Sequence, residues 1–224
     1  MEIDQNIKTI SIIGGTGALG SGLARRWLRA GYAVVIGSRT AGKAADAVAA
    51  MSADLPNATV TGAENLAAAE AGDIVVLTVP FAHQRPTLES IRQGLTGKIL
   101  IDTTVPLMPP KVARVQLPEE GCAAVRAQQI VGPEVIVVSA FHNVAADLMA
   151  SDKEMACDVL VAGDQLAARE RVIELARQAG FPAFHAGPLV NSAAMEALTS
   201  VLIFINRRYS GSHTGIRMTG ISEA

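Results

Sequence analysis

Two short stretches of the chain carry residues whose types and spacing can do chemistry on a nucleotide. In "GGTGALG", Gly15, Gly17 and Gly20 form a GxGxxG directly after the apolar run "KTISII" and at the head of "ALGSGLARRW". Small residues at these positions permit a tight turn, let a pyrophosphate approach the backbone and let a helix pack close to a strand. The start of that helix would turn free N–H groups and the positive end of its dipole toward the phosphates. Alone the spacing is weak, but between a strand and a helix it is a strong signal.

Eighteen residues beyond Gly20, "VVIGSRT" reaches the place where NAD-selective folds of this kind carry Asp or Glu. Here Gly37, Ser38 and Arg39 occupy it. A carboxylate would repel a ribose 2′-phosphate. Arg39 can instead offer a planar fork, Ser38 a hydroxyl donor and Lys43, one helical turn on, a second cation. These residues favour NADP(H); a solvated basic patch at a helix start is the alternative.

Such residues need strands and helices to hold them. Short apolar runs alternate with alanine-rich stretches of helical length, the pattern of consecutive βαβ units. "KTISIIG", "YAVVIGS", "ATVTG", "DIVVLTVP", "KILIDTTVP" and "EVIVVSAF" read as six strands. The near-continuous apolar character of several implies burial on both faces, as in a parallel sheet. "PLMPPKVARVQLP" carries four prolines and reads as a structured loop. Beyond a soft boundary near Ser139 come "CDVLVAG", the helix "QLAARERVIELARQAG", the strand "FPAFHAG" and a last helix from about Asn191 to Arg208. The fold expected is α/β: a Rossmann-type doubly wound parallel sheet over residues 1–139, with a smaller C-terminal α/β lobe over 140–224.

With 224 residues, half of them hydrophobic, the chain can bury a substantial core. A net charge of −2 gives no global basic field for nucleic acid. "MEIDQNIK" does not resemble a secretory signal, and the run "VLIFI" is far shorter than a membrane span. A cytoplasmic protein is expected, with no membrane or nucleic-acid partner. Cys122 and Cys157 lack any zinc-binding spacing and read as buried thiols, so no metal site is expected. Met149, Met155 and Met195 read as packing residues.

No catalytic acid or base stands out. A Tyr-x-x-x-Lys pair is excluded, because Ile36 follows Tyr32 and His213 follows Tyr209 at that spacing. There is also no room for the long all-helical substrate domain of a hydroxyacid dehydrogenase. On the residues alone, an NADPH enzyme and an NADP(H)-sensing binding protein both remain open.

"IIGGTGALGSGLARRW", "VVIGSRTAGKA", "VLTVPFAH", "SAFHNVAA" and "GPLVNSAAMEALTSVLIFINR", taken in order, resemble the NADPH-dependent F420 reductases over nearly the whole chain. The resemblance implies hydride transfer between NADP(H) and the 5-deazaflavin ring of coenzyme F420. A transfer between two stacked rings needs orientation and exclusion of water more than a dedicated acid. It further implies that Thr16, Gly17, Ala18 and Leu19 hold the pyrophosphate, and that Val79, His83, Val105 and Ala146 border the path to the nicotinamide. His142, Asn143 and Val144 would line the meeting place of the two rings, and Thr214 would approach the deazaflavin. Asn143 and Ala145 stand where relatives carry Thr and Pro. Arg207, Arg208, His213 and Arg217, set against Glu223, could attract the phosphate and glutamate tail of F420. A flavin- or ferric-reductase-like enzyme shares the donor side and is the alternative acceptor chemistry. The last helix, with Leu198, Val201, Leu202 and Ile205 on one face, is expected to be buried in the lobe or against a second subunit, and the resemblance favours a homodimer.

Overall fold

The computed structural model describes residues 7–146, 149, 156–209 and 213–221. Met155 and Glu223 lie outside them. Eight strands form one sheet: β1 Thr9–Ile13, β2 Ala33–Ser38, β3 Val60–Glu64, β4 Ile74–Leu77, β5 Ile99–Asp102, β6 Ile136–Ser139, β7 Val159–Gly163 and β8 Ala183–Gly187. Their order is β3-β2-β1-β4-β5-β6-β7-β8. The first six pair in parallel, β7 runs antiparallel to β6, and β8 is parallel to β7. The strand order reverses direction between β1 and β4, and ligands of doubly wound sheets bind at that switch. The sheet continues through residue 139 into the C-terminal half.

Alternation along the strands gives two cores, one on each face. Ile10, Ile12, Val34, Ile36, Ile74, Val76, Ile101 and Val138 pack on one side, with Trp27 of helix α1 (Ala18–Arg29) and Leu175 of helix α6 (Leu166–Gln178). Ile13, Val35, Val75, Leu77, Leu100 and Val137 pack on the other. Helices α3 (Asn65–Ala71), α4 (Phe81–Ile91) and α5 (Ala123–Val131) cover that second face. Helix α2 (Ala41–Asp54) follows β2, and α7 (Ser192–Arg208) closes the described helices. The proline-rich segment forms no helix or strand, as its composition predicts. Cys122 and Cys157 are free and buried, and Met149 and Met195 are packed inside.

Two helices go beyond what hydrophobic patterning alone reveals. Helix α4 is absent from the sequence reading because Pro86 lies within it and its apolar periodicity is weak. In α7, Leu202 is buried, but Val201 is 42% and Phe204 57% exposed. The inward face instead carries Ser192, Glu196 and Ser200, all buried. The short 3-10 turn before α7 extends it to Leu189–Arg208, long and apolar enough by length and composition to cross a membrane. Its polar inward side chains bond into the protein, as a packed helix requires.

Candidate active site

The turn after β1 is held by its own backbone. Gly14 N–H and Gly15 N–H both donate to the Gly37 carbonyl at 3.1 Å, and Gly17 N–H donates to the Gly14 carbonyl at 3.0 Å. Gly14 adopts φ +78°, in the left-handed region that favours glycine. The helical ladder of α1 begins with Ser21 N–H on the Gly17 carbonyl at 2.8 Å. The N–H groups of Ala18, Leu19 and Gly20 precede it and have no intrahelical acceptor. Only the Gly14 carbonyl, at 3.5 Å, comes near a Cβ built on Gly17. The turn is therefore open at the point where a pyrophosphate would lie.

A cleft of about 420 Å³ runs from this turn along the carboxyl ends of β2 and β4 to α4. It brings together Thr16, Gly17, Ser38, Arg39, Lys43, Val79 and His83. Ser38 is buried, whereas Arg39 and Lys43 are exposed at the rim, and neither pairs with a carboxylate among the described residues. Val105 and Ala146 are not among the residues lining this cleft or the pocket below. The wall also contains Asn65, Thr87 and Ser90, which the sequence reading missed. Asn65 Oδ1 is buried with no hydrogen-bond partner among the described residues. Thr87 and Ser90 lie on α4, so missing the helix meant missing them.

A second pocket, of about 320 Å³, joins His142, Asn143 and Val144 after β6 to Thr199 and Asn206 of α7 and to Thr214. Its first wall starts from an unusual backbone: Phe141 sits at φ +64°. A bulky residue there stores strain of about 1–3 kcal/mol and needs firm surroundings. Those are present. The Phe141 ring meets Trp27 edge-on with centroids 6.0 Å apart and Phe181 at 6.1 Å. Trp27 in turn donates Nε1–H to the Leu175 carbonyl at 2.9 Å. The next residue, His142, is buried, and its Nε2 has no partner among the described residues. Burial brings its pKa down to about 4, so the imidazole is neutral at ordinary pH and can both donate and accept.

The chain after β6 also touches α1, the helix that begins at the phosphate turn. Arg26 Nε donates to the Met149 carbonyl at 3.1 Å. Met149 leaves no room for a Cβ on Gly22. One helix thus links the cleft to the segment that walls the pocket. A larger cavity, of about 580 Å³, lies beside α5 and β6, lined by Gln128, Asp164 and Val190 among others, and has no phosphate-binding turn.

Two buried acids lie outside the linings of both sites. Asp102, at the end of β5, accepts from Gln84 Nε2 at 2.7 Å and from Thr104 N–H at 3.0 Å. Glu196 of α7 accepts from the Ala123 and Ala124 N–H groups at 2.6 and 3.1 Å, capping α5 from another helix. Burial pushes Asp102 up to about 6; burial, with Asp102 nearby, pushes Glu196 up to about 8. A carboxyl whose pKa rises on folding binds a proton that the unfolded chain has released. Its stabilisation is full below its ordinary pKa and is lost as pH rises through the folded value. His142 has the opposite sign, losing stability as pH falls from its ordinary 6.5 toward about 4. Between pH 6.5 and 8 the Glu196 effect dominates. Urea denaturation midpoints should fall across that interval, and Glu196→Gln should flatten the fall. Parallel slopes in the two proteins would assign the effect elsewhere.

Comparison with known proteins places these sites in context. Residues 9–106 match the family model described as NADP oxidoreductase coenzyme F420-dependent. The F420-dependent NADP reductase of Methanocaldococcus jannaschii is 38% identical over 221 residues, covering 95% of this chain and 98% of the relative. That of Methanothermobacter thermautotrophicus is 40% identical over 225 residues, with 97% of each chain covered. A solved structure from Arthrobacter sp. FB24, provisionally named an F420-dependent NADP reductase, superposes with a TM-score of 0.77 at 25% identity. It covers 96% of this chain and 100% of its own.

Proposed function

The chain belongs to the coenzyme F420-dependent NADP oxidoreductase family, and from that membership we propose which residues serve its two coenzymes. The protein is an oxidoreductase that transfers a hydride between NADP(H) and F420. The observation that carries the reading is similarity spanning 95% of the chain, well past the nucleotide half and through α7.

NADP(H) fits the cleft. Its pyrophosphate meets the open turn at Gly15, Thr16 and Gly17 and the free N–H groups of Ala18, Leu19 and Gly20. Its 2′-phosphate meets the Ser38 hydroxyl, Arg39 and Lys43. Val79 and His83 border the cleft on the way toward the nicotinamide. The acceptor ring enters between His142, Asn143, Val144 and Thr214, which line the second pocket.

NADPH supplies a hydride, and the deazaflavin takes it up with one proton from solvent. The protein's part is to hold the two ring systems in contact and keep water out. Residues 1–139 bind the nucleotide; residues 140–224 supply the acceptor pocket and the contact between copies. The exposed Val201 and Phe204 support a homodimer through α7. The slight net negative charge and the polar buried face of α7 support a cytoplasmic protein with no nucleic-acid or membrane partner.

The test is a choice of acceptors. Purified protein with NADPH should bleach the absorbance of F420 and leave FMN or FAD nearly untouched. Brisk flavin reduction without F420 turnover would overturn the assignment.

A further inference from the structure

Both walls of the acceptor pocket hang from one helix. Thr199 Oγ1 donates to the His142 carbonyl at 3.0 Å and accepts from Asn143 Nδ2 at 3.0 Å. The second Asn143 amide hydrogen goes to the Met195 carbonyl, also at 3.0 Å. Seven residues along α7, Asn206 Oδ1 accepts the Thr214 N–H at 3.3 Å and the Thr214 hydroxyl as well. Two helical turns, about 10 Å, thus separate the two anchors.

The direction of these bonds matters. A threonine hydroxyl has one hydrogen to give, and here it goes to the backbone of His142. The amide of Asn143 supplies what the hydroxyl accepts, so the chain Asn143 to Thr199 to His142 is fully specified. Both Asn143 donors are spent on α7, which leaves only its carbonyl oxygen to offer a ligand. His142 Nε2 is buried and has no hydrogen-bond partner among the described residues. The left-handed Phe141 immediately before it could relax into other backbone conformations if the clamp were absent.

We propose that Thr199 is a positioning residue of the acceptor pocket, whose single hydroxyl fixes the His142–Asn143 backbone and thereby sets acceptor affinity without touching NADP(H). The proposal rests on the assignment of this pocket to the deazaflavin.

Thr199→Val keeps the shape and removes both bonds; Thr199→Ser keeps the hydroxyl. Steady-state kinetics with NADPH and F420 should show Thr199→Val raising the KM for F420 about tenfold, the weight of one or two buried hydrogen bonds. The NADPH Kd should stay within about twofold of wild type, and Thr199→Ser should restore the F420 KM. Thr199→Ala, which cannot clash, replaces the valine variant if that protein does not fold. Unchanged F420 parameters, an equal loss of NADPH affinity, or failure of serine to rescue would each overturn the role of Thr199 while leaving F420 turnover by wild type intact. A wild-type protein that does not reduce F420 would overturn the pocket assignment and this role together.

Discussion

Arg39→Ala is expected to weaken NADPH binding about tenfold to a hundredfold and to leave NADH within about twofold, because one charge-assisted hydrogen bond to the 2′-phosphate is lost. Arg39 stands at the end of β2, beside a buried Ser38, at the rim of a cleft that starts at the phosphate turn. No carboxylate among the described residues competes for it. The cofactor pair is the control, since NADH has the same pyrophosphate and nicotinamide and lacks only the phosphate. Lys43→Ala should act in the same direction and less strongly, because an ammonium on a flexible stem gives no bidentate geometry. Isothermal titration with both nucleotides decides the matter. An equal loss for NADH and NADPH would mean that Arg39 does not read the 2′-phosphate.

Gly20→Ala should lower NADPH affinity at least tenfold and lower stability by about 1–3 kcal/mol, the usual cost of an overpacked core position. A Cβ on Gly20 would lie 2.6 Å from Thr78 Oγ1, 2.8 Å from Gly15 Cα and 2.9 Å from the Gly14 carbonyl oxygen. None of these can easily withdraw. The Thr78 hydroxyl is committed to the Ile13 carbonyl at 3.0 Å, and the Gly14 carbonyl accepts the Gly17 N–H at 3.0 Å. Making room moves α1 away from β1 and takes its free N–H groups away from the pyrophosphate. Gly42→Ala, in the first turn of α2 with nothing within 4 Å of the added methyl, should instead leave stability unchanged or raise it by up to about 1 kcal/mol. Denaturation midpoints and NADPH titrations of the two variants check both statements. A Gly20→Ala protein that binds NADPH like wild type would remove the close packing from the account.

Much of the donor side was legible because its signals are local. The turn glycines, the strand before them and the helix after them occupy one continuous stretch, and the 2′-phosphate residues follow at a spacing set by one βαβ unit. Helix α4 was illegible because Pro86 reads as a breaker and the surrounding residues lack a strong apolar stripe. Its loss hid Thr87 and Ser90 on the cleft wall. For α7 the hydrophobic pattern left two placements open, because hydrophobicity marks both a buried face and a face that awaits a partner. One signal was available, since a lone Glu196 in an apolar helix has to find donors or stay outside. It caps α5, 72 and 73 residues earlier in the chain, and no periodicity announces such a pairing. The second pocket is nonlocal throughout, joining segments near 142, 199 and 214. The residues by themselves did not identify it, and family resemblance supplied its candidates.

The most direct test of the central claim is a single turnover with NADPH carrying deuterium at the transferable position of its nicotinamide, mixed with oxidised F420 and this protein in ordinary water. Direct hydride transfer predicts reduced F420 that carries the deuterium on its deazaflavin ring in near-stoichiometric amount, formed with a primary isotope effect. Reduced F420 without the label, or NADPH consumed with F420 left oxidised, would contradict the account.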